Sequence, residues 1–516
     1  MVDQPSWRSA MRAVPAVVVL SAALAAPNPA AAQTAGKVVT IVLPVEPVGL
    51  DGCNTIRANV GRVIRQNVVE SLTERDPKDG AITPRLATAW EKVDDKTWRF
   101  TLRQGVKFHD GAPFDAKAVV TAMDRTMKQT ALGCENKTKS FGDVKLEARA
   151  VSDHVVEIFA DKPVPILPTQ MGVIGITGPN TPADRLVLDP VGTGPYVFGN
   201  WVTGQEINIK RNPDYWGTKP VADGARYLWR TESSVRAAMI KVGEADIAPS
   251  IAAQDANDPK TDSSYINSET ASMRIDSNVA PLTDKRVRLA LNHAFDREKV
   301  RGTILPKDIL HATQIVVPNI AGHNHELDKQ VRAYDPVKAR QLLAEAKADG
   351  VPVDKEIVLI GRPHGYPNAG EVMEAMLQMY KGVGLNVVLR NMEQAEWQET
   401  LNKPFKEGRA PMLLQAFHDN NNGDPVFSVF NKYACGGLQA TLCDPKLDEL
   451  IAKASAQSGA ERIKSWQEVL RIIYEDHVND VWMYHMVGYA RVGSRVTYTP
   501  SILTTAELQL SQVGFK

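Results

Sequence analysis

The sequence predicts an α/β protein of more than one lobe. Three observations carry that expectation. Short β-branched runs alternate with helix-patterned segments from about residue 38 onward, which is the signature of helices packed on mixed sheets. The 516 residues exceed what one hydrophobic core holds. No repeat of fixed period and no low-complexity linker divides the chain, so the lobes are expected to be interleaved in sequence.

The elements follow in order. Residues 1–32 read as an export leader. Arg8 and Arg12 form a positive n-region, residues 13–26 are apolar, and Ala30, Ala31 and Ala32 precede a cut before Gln33. Pro15, Pro27 and Pro29 interrupt the stretch, and it is too short for a bilayer of about 30 Å. No cysteine lies near the cut, so a lipid anchor is not expected. The run VVTIVL at 38–43 predicts a buried strand. Residues 59–72 place Val60, Ile64, Val68 and Leu72 on one helical stripe. TWRFTL at 97–102 alternates as a strand, and His109-Asp110-Gly111 forms a turn. Asp115 N-caps a helix over 116–127, and 155–159 is a strand.

Further on, 207–210 alternates, and a helix over 233–242 stops at Gly243. Residues 285–300 and 335–349 predict amphipathic helices, the second opened by Asp335-Pro336. Strands follow at 357–360, 386–390 and 412–417, with helices at 371–380 and 396–402 between them. A polar run, 419–424, leads to a last long helix over 461–476.

Charge and cysteines narrow the function. The chain carries 60 basic and 60 acidic residues. Without Arg8, Arg12 and Asp3 these become 58 and 59, a net charge of −1. That balance offers no basic face for nucleic acid. Cys53, Cys134, Cys435 and Cys443 admit three pairings. The short loop nominates Cys435 with Cys443, which leaves Cys53 with Cys134. Zinc ligation is the other reading, but no C-x-x-C is present. No G-x-S-x-G, H-E-x-x-H or cysteine-nucleophile motif supports a hydrolase, so no catalytic residue and no cofactor is assigned. His323 and His325 flank one Asn in a loop and are expected to be solvated.

Four ordered blocks carry a family resemblance. They are VESLTERDPKDGAITPRLATAWEKVDD with TWRFTLRQGVKFHDGAPFDAKAVVTAMD; GTGPY with RNPDYWG; DKRVRLALNHAFDREK; and DPVKARQLLAEA. Together the chain resembles the bacterial extracellular solute-binding proteins of family 5, which include dipeptide- and oligopeptide-binding components of ABC importers. The resemblance implies a type II (cluster C) periplasmic binding protein-like fold. That fold has two lobes with a hinge, an interlobe cleft and an extra subdomain. The expected partition is 33–76, 191–280 and 486–516 for lobe I, 77–190 for the subdomain and 281–485 for lobe II. The resemblance also implies a monomeric periplasmic receptor that hands its solute to the permease subunits of an importer.

A free peptide is a zwitterion, and burying it requires partners for both charges. Arg362, in GRPHGYPN, is the candidate for the carboxylate. The segment QAFHDNNNGDP supplies His418, Asp419, Asn420, Asn421, Asn422 and Asp424. Alignment of Gly423-Asp424-Pro425 puts Asn421 where dipeptide binders carry their amine-binding Asp. Neutral Asn lacks the charge for that role, and Asp419 is the substitute. Trp397 is expected to line the cleft, and Asn54, Thr55 and Arg57 to lie on an early loop facing it. The competing solutes are an opine, a modified amino acid, an oligosaccharide or a metal chelate.

Overall fold

The computed structural model describes residues 36–516 except 79, 142–143, 363–365 and 421–422. The leader and the candidates Asn421 and Asn422 lie outside the described residues. Among those described, no helix is long and apolar enough to cross a membrane.

An eleven-stranded mixed sheet forms the spine. Its order runs Val387–Asn391, Ile357–Gly361, Met412–Asp419, Asp262–Ile275, Asp480–Val492, Ile247–Ile251, Val38–Leu43, Gly224–Trp229, Glu206–Arg211 and Tyr196–Val202, with Leu310–His311 branching from Asp480–Val492. The 14-residue strand Asp262–Ile275 and the 13-residue strand Asp480–Val492 pair with each other and belong to both halves. Their register shifts between Ile266 and Thr270. Such a bulge bends the strand, so the crossing between the lobes is built at that point.

Separate cores sit on this spine. One joins Ala271, Met273 and Ile275 of the long strand to the helices Lys285–Ala294, Pro336–Ala348 and Ala369–Gly382 through Leu291, Leu342 and Met376. A second lies in the subdomain, where the four-stranded sheet Ala87–Lys92, Thr97–Leu102, Val155–Ala160, Leu146–Ser152 packs Phe100 and Ile158 against Val119 and Met123. A third holds the first lobe around Ile41, Val63, Tyr227 and Leu508. The fold is thus the two-lobed α/β architecture with an additional subdomain that the sequence predicts.

Local departures have local causes. The stripe over 59–72 yields a helix only for Ala58–Ile64. Arg65 is extended, Gln66 takes φ 57°, and Val68 and Leu72 are buried as irregular backbone. The helix over 285–300 breaks at Phe295 (ψ 112°) and restarts where Asp296 accepts a hydrogen bond from Lys299 N. The last helix begins at Gly459 and gives way to a π turn at Ile472–His477. By contrast, Asp115 and Asp335 cap as expected, accepting from Ala118 N and Lys338 N. Both disulfides form as nominated, Cys53–Cys134 and Cys435–Cys443.

The resembling blocks meet in space. Glu70 is fully buried, and its carboxylate accepts from Arg85 Nε (2.6 Å), Tyr215 hydroxyl (2.9 Å), Trp216 Nε1 (2.9 Å) and Thr193 Oγ1 (2.8 Å). Those donors come from the first block, RNPDYWG and GTGPY. A buried carboxylate needs this many partners to offset desolvation. In GTGPY any side chain on Gly192 or Gly194 would strike the backbone at Asn67 and Val68, so glycine is required there. His109 Nε2 donates to Gly194 O (3.0 Å) and serves this turn.

Candidate functional site

Three neighbouring strands, Val387–Asn391, Ile357–Gly361 and Met412–Asp419, run parallel. In such sheets ligands gather beyond the carboxyl ends of the strands. Those ends carry Arg362, the helix Gln394–Leu401 with Trp397, and the segment from His418 to Asp424.

Arg362 follows Gly361 directly. Its backbone N–H donates to Gln415 Oε1 at 2.6 Å, and its guanidinium lies 4.1 Å from the Trp397 ring centroid. Trp397 is buried beside Ile360 and Leu414, and its Nε1 donates to Gln415 O at 3.0 Å. Partial burial lowers the Arg362 pKa from its ordinary value, though the guanidinium stays charged. Gln415 is the common post for both. Its Nε2 donates to Tyr366 hydroxyl at 3.0 Å.

The polar segment divides by role. His418 and Ser428 are 2.7 Å apart, and the Ser428 hydroxyl donates to Asn420 Oδ1 at 2.9 Å, so His418 Nε2 is the donor to Ser428. Burial, then Lys432 and Arg274, hold the His418 pKa well below the ordinary histidine value. Asn420 is buried, and its Nδ2 donates to the carbonyls of Ser268 and Ile315. Asp424 N-caps the helix Pro425–Tyr433 and pairs with Arg462 at 2.7 Å; burial raises its pKa. Asn420 therefore spends its polar atoms inside the fold, whereas Asp424 uses Oδ1 there and also lines a cavity with Gly423 and Arg462. Asp419, at the exposed end of its strand, stands opposite Glu269 on the crossing strand.

Asn54, Thr55 and Arg57 form a separate cluster. Asn54 Oδ1 accepts from Glu135 N, Thr55 Oγ1 donates to Val173 O, and Arg57 pairs with Glu135. The Cys53–Cys134 disulfide ties the same two segments together. The structure does not join this cluster to Arg362 and Trp397 through any of these bonds.

Two residues escaped the sequence reading. Glu269 is pushed up to about 7 by burial and by the facing charge of Asp419. Arg75, from the other lobe, packs so closely on Gly423 that any side chain there would collide with its guanidinium. Burial, then Arg65, lowers Arg75 to about 10, while Glu507 and Asp419 oppose that shift. Neither residue had a local signal. Glu269 lies on a polar strand without alternation, and Arg75 lies in a short hairpin, Thr73–Arg75 with Ile82–Pro84.

Residues far apart in sequence come together to line two cavities. One of about 250 Å³ includes Gly80, Ile82, Trp98, Gly423 and Arg462; another of about 840 Å³ includes Val144, Pro163, Phe427, Phe430 and Ile451. Arg362 and Trp397 are on the wall of neither.

A two-lobed α/β fold built on one shared mixed sheet is the architecture of a binding-protein class. The model for bacterial extracellular solute-binding proteins, family 5, matches residues 81–439, and the chain belongs to that family. A probable di/tripeptide-binding protein of Pseudomonas aeruginosa is 27% identical over 490 residues, covering 87% of this chain and 89% of the relative. The glutathione-binding protein GsiB of Salmonella paratyphi A is 30% identical, covering 77% and 80% respectively. Among solved structures, HbpA2 from Haemophilus parasuis superposes with TM-score 0.81 at 22% identity over 93% of this chain and all of that one. Members of the family are solute-binding proteins rather than enzymes.

Proposed function

We propose that the protein is the periplasmic receptor of an ABC importer and captures a short peptide, of two or three residues, between its lobes. It is exported by a cleaved leader at residues 1–32, works as a free monomer and delivers its ligand to the permease subunits. The lobes divide as 33–76, 191–280 and 486–516 against 281–485, with 77–190 as the subdomain; the separate core spanning Leu72 to Ile176 supports that partition.

The observation that carries the reading is the pairing of opposite charges at the carboxyl ends of parallel strands. Ile360 is level with Leu414, so Arg362 is level with Ala416, and Asp419 lies three residues further along the same strand. At about 3.3 Å per residue the two are offset by about 10 Å along the strand direction, and the odd offset puts them on opposite faces of the sheet, so a single ligand reaches both only beyond the strand ends. An extended peptide of two or three residues spans about 7–10 Å. Arg362 takes the carboxylate, held flat by Trp397. Asp419 with Glu269 takes the amine, which relieves the repulsion between those two carboxylates. Names of relatives that bind dipeptides, tripeptides and glutathione support the same solute class.

Arg362→Ala tests this. Removing one partner of a desolvated charge pair costs about 2–5 kcal/mol, so the Kd of a free dipeptide or tripeptide rises about 30-fold or more by calorimetry. Arg362→Lys restores only part of the affinity, because ammonium lacks the planar fork. Unchanged affinity in Arg362→Ala removes the residue from the site.

A further inference from the structure

A cluster outside the cleft charges has metal-ligand chemistry. His323, His325 and Asp328 each place one ligand atom within 4.8 Å of the others. His323 Nε2 lies 2.9 Å from Asp328 Oδ2, and His325 Nδ1 lies 3.4 Å from the same oxygen. Ligand atoms around tetrahedral zinc, at about 2.0–2.2 Å from the ion, stand about 3.3 Å apart. The observed spacings are of that size before any ion has drawn the groups together.

Orientation supports the same reading. His323 Nδ1 lies 2.7 Å from Val316 O, a carbonyl that can only accept, so Nδ1 carries a proton. Its Nε2 lies 2.9 Å from Asp328 Oδ2, a contact that either a proton or a metal ion bridges. A histidine whose distal N–H is fixed by a backbone carbonyl is the usual arrangement of a metal-bound imidazole. Gln314 Nε2 and Thr313 Oγ1 donate to Asp328 Oδ1, at 3.4 and 3.5 Å, and hold the carboxylate in place. His323 is buried while His325 is exposed, which gives the ion a path in.

We propose that His323, His325 and Asp328 bind one divalent transition-metal ion of the zinc class, with the remaining positions open to water. The site is independent of the solute reading. It sits on the loop whose Asn319 donates to the carbonyls of Pro77 and Lys78 in the other lobe, so a bound ion would stiffen a contact between the lobes.

Calorimetry of the chelator-stripped full chain with zinc chloride tests the proposal. It predicts one equivalent bound, with affinity reduced about tenfold or more in His325→Ala and in Asp328→Asn. His325 is exposed, so its removal leaves folding intact, checked by circular dichroism. Cobalt(II) gives a second readout, a tetrahedral visible spectrum lost in His325→Ala. Absence of zinc binding overturns the proposal, as does zinc binding that both variants retain at wild-type strength. The first result would leave His323 as an imidazolium paired with Asp328.

Discussion

Glu269 and Asp419 face each other on paired strands, and directly opposed like charges destabilise a sheet. The consequence can be read against pH. Glu269 sits at about 7 in the folded protein, above its ordinary value of 4.5. Between those values the folded state holds a proton that the unfolded state releases, so stability falls as pH rises through this window. Glu269→Gln removes the charge and is expected to raise stability at pH 8 by about 1–3 kcal/mol, while at pH 4 it matches the parent. Urea midpoints at the two pH values check this, and a gap independent of pH would count against the pairing. The cost is borne at the place where the proposed ligand's amine would bind. The sequence marked Asp419 but not Glu269, because their opposition arises from strand register between residues 150 positions apart.

At the scale of elements, the sequence was legible wherever a cap or an apolar stripe acts locally. Asp115, Asp335 and Gly243 behave as read, and the strands Val38–Leu43, Thr97–Leu102 and Ile357–Gly361 fall within a residue of expectation. The crossing strands Asp262–Ile275 and Asp480–Val492 were not foreseen. The first is polar over half its length because it passes between lobes and a cleft rather than through one core, so the period-two signal is lost. Asn420 and Asp424 illustrate the same limit in the site. An Asn and an Asp in a ligand loop look alike in sequence whether they face solute or cap the backbone; here Asn420 bonds backbone carbonyls, and Asp424 caps a helix while lining a cavity. The two disulfides allow a comparison. Cys53–Cys134 closes a separation of 81 residues and Cys435–Cys443 one of 8. Loop-closure entropy then makes the first worth about 4.5 kcal/mol and the second about 2.6. Replacing each pair by serine should lower the urea-unfolding free energy in that order, and a reversed order would show that strain or unfolded-state structure dominates.

For the whole molecule, the described residues form one continuous sheet, at whose centre the two long strands Asp262–Ile275 and Asp480–Val492 pair. A bulge interrupts that pairing between Ile266 and Thr270, and Arg75 on Gly423 and Asn319 on the 77–78 turn join segments far apart in sequence. Lobes that close on a solute do so by differential affinity for the closed state, which the proposed zwitterion would supply through contacts at both ends. The family is shown by the sequence match, while the proposed solute rests on the charges placed at strand ends. Calorimetry of unliganded protein with one tripeptide in three forms, free, N-acetylated and C-amidated, tests that assignment most directly. The account predicts tight binding of the free peptide and a loss of about tenfold or more on blocking either end. Equal affinity for all three forms, or binding of a neutral sugar but no peptide, would contradict it.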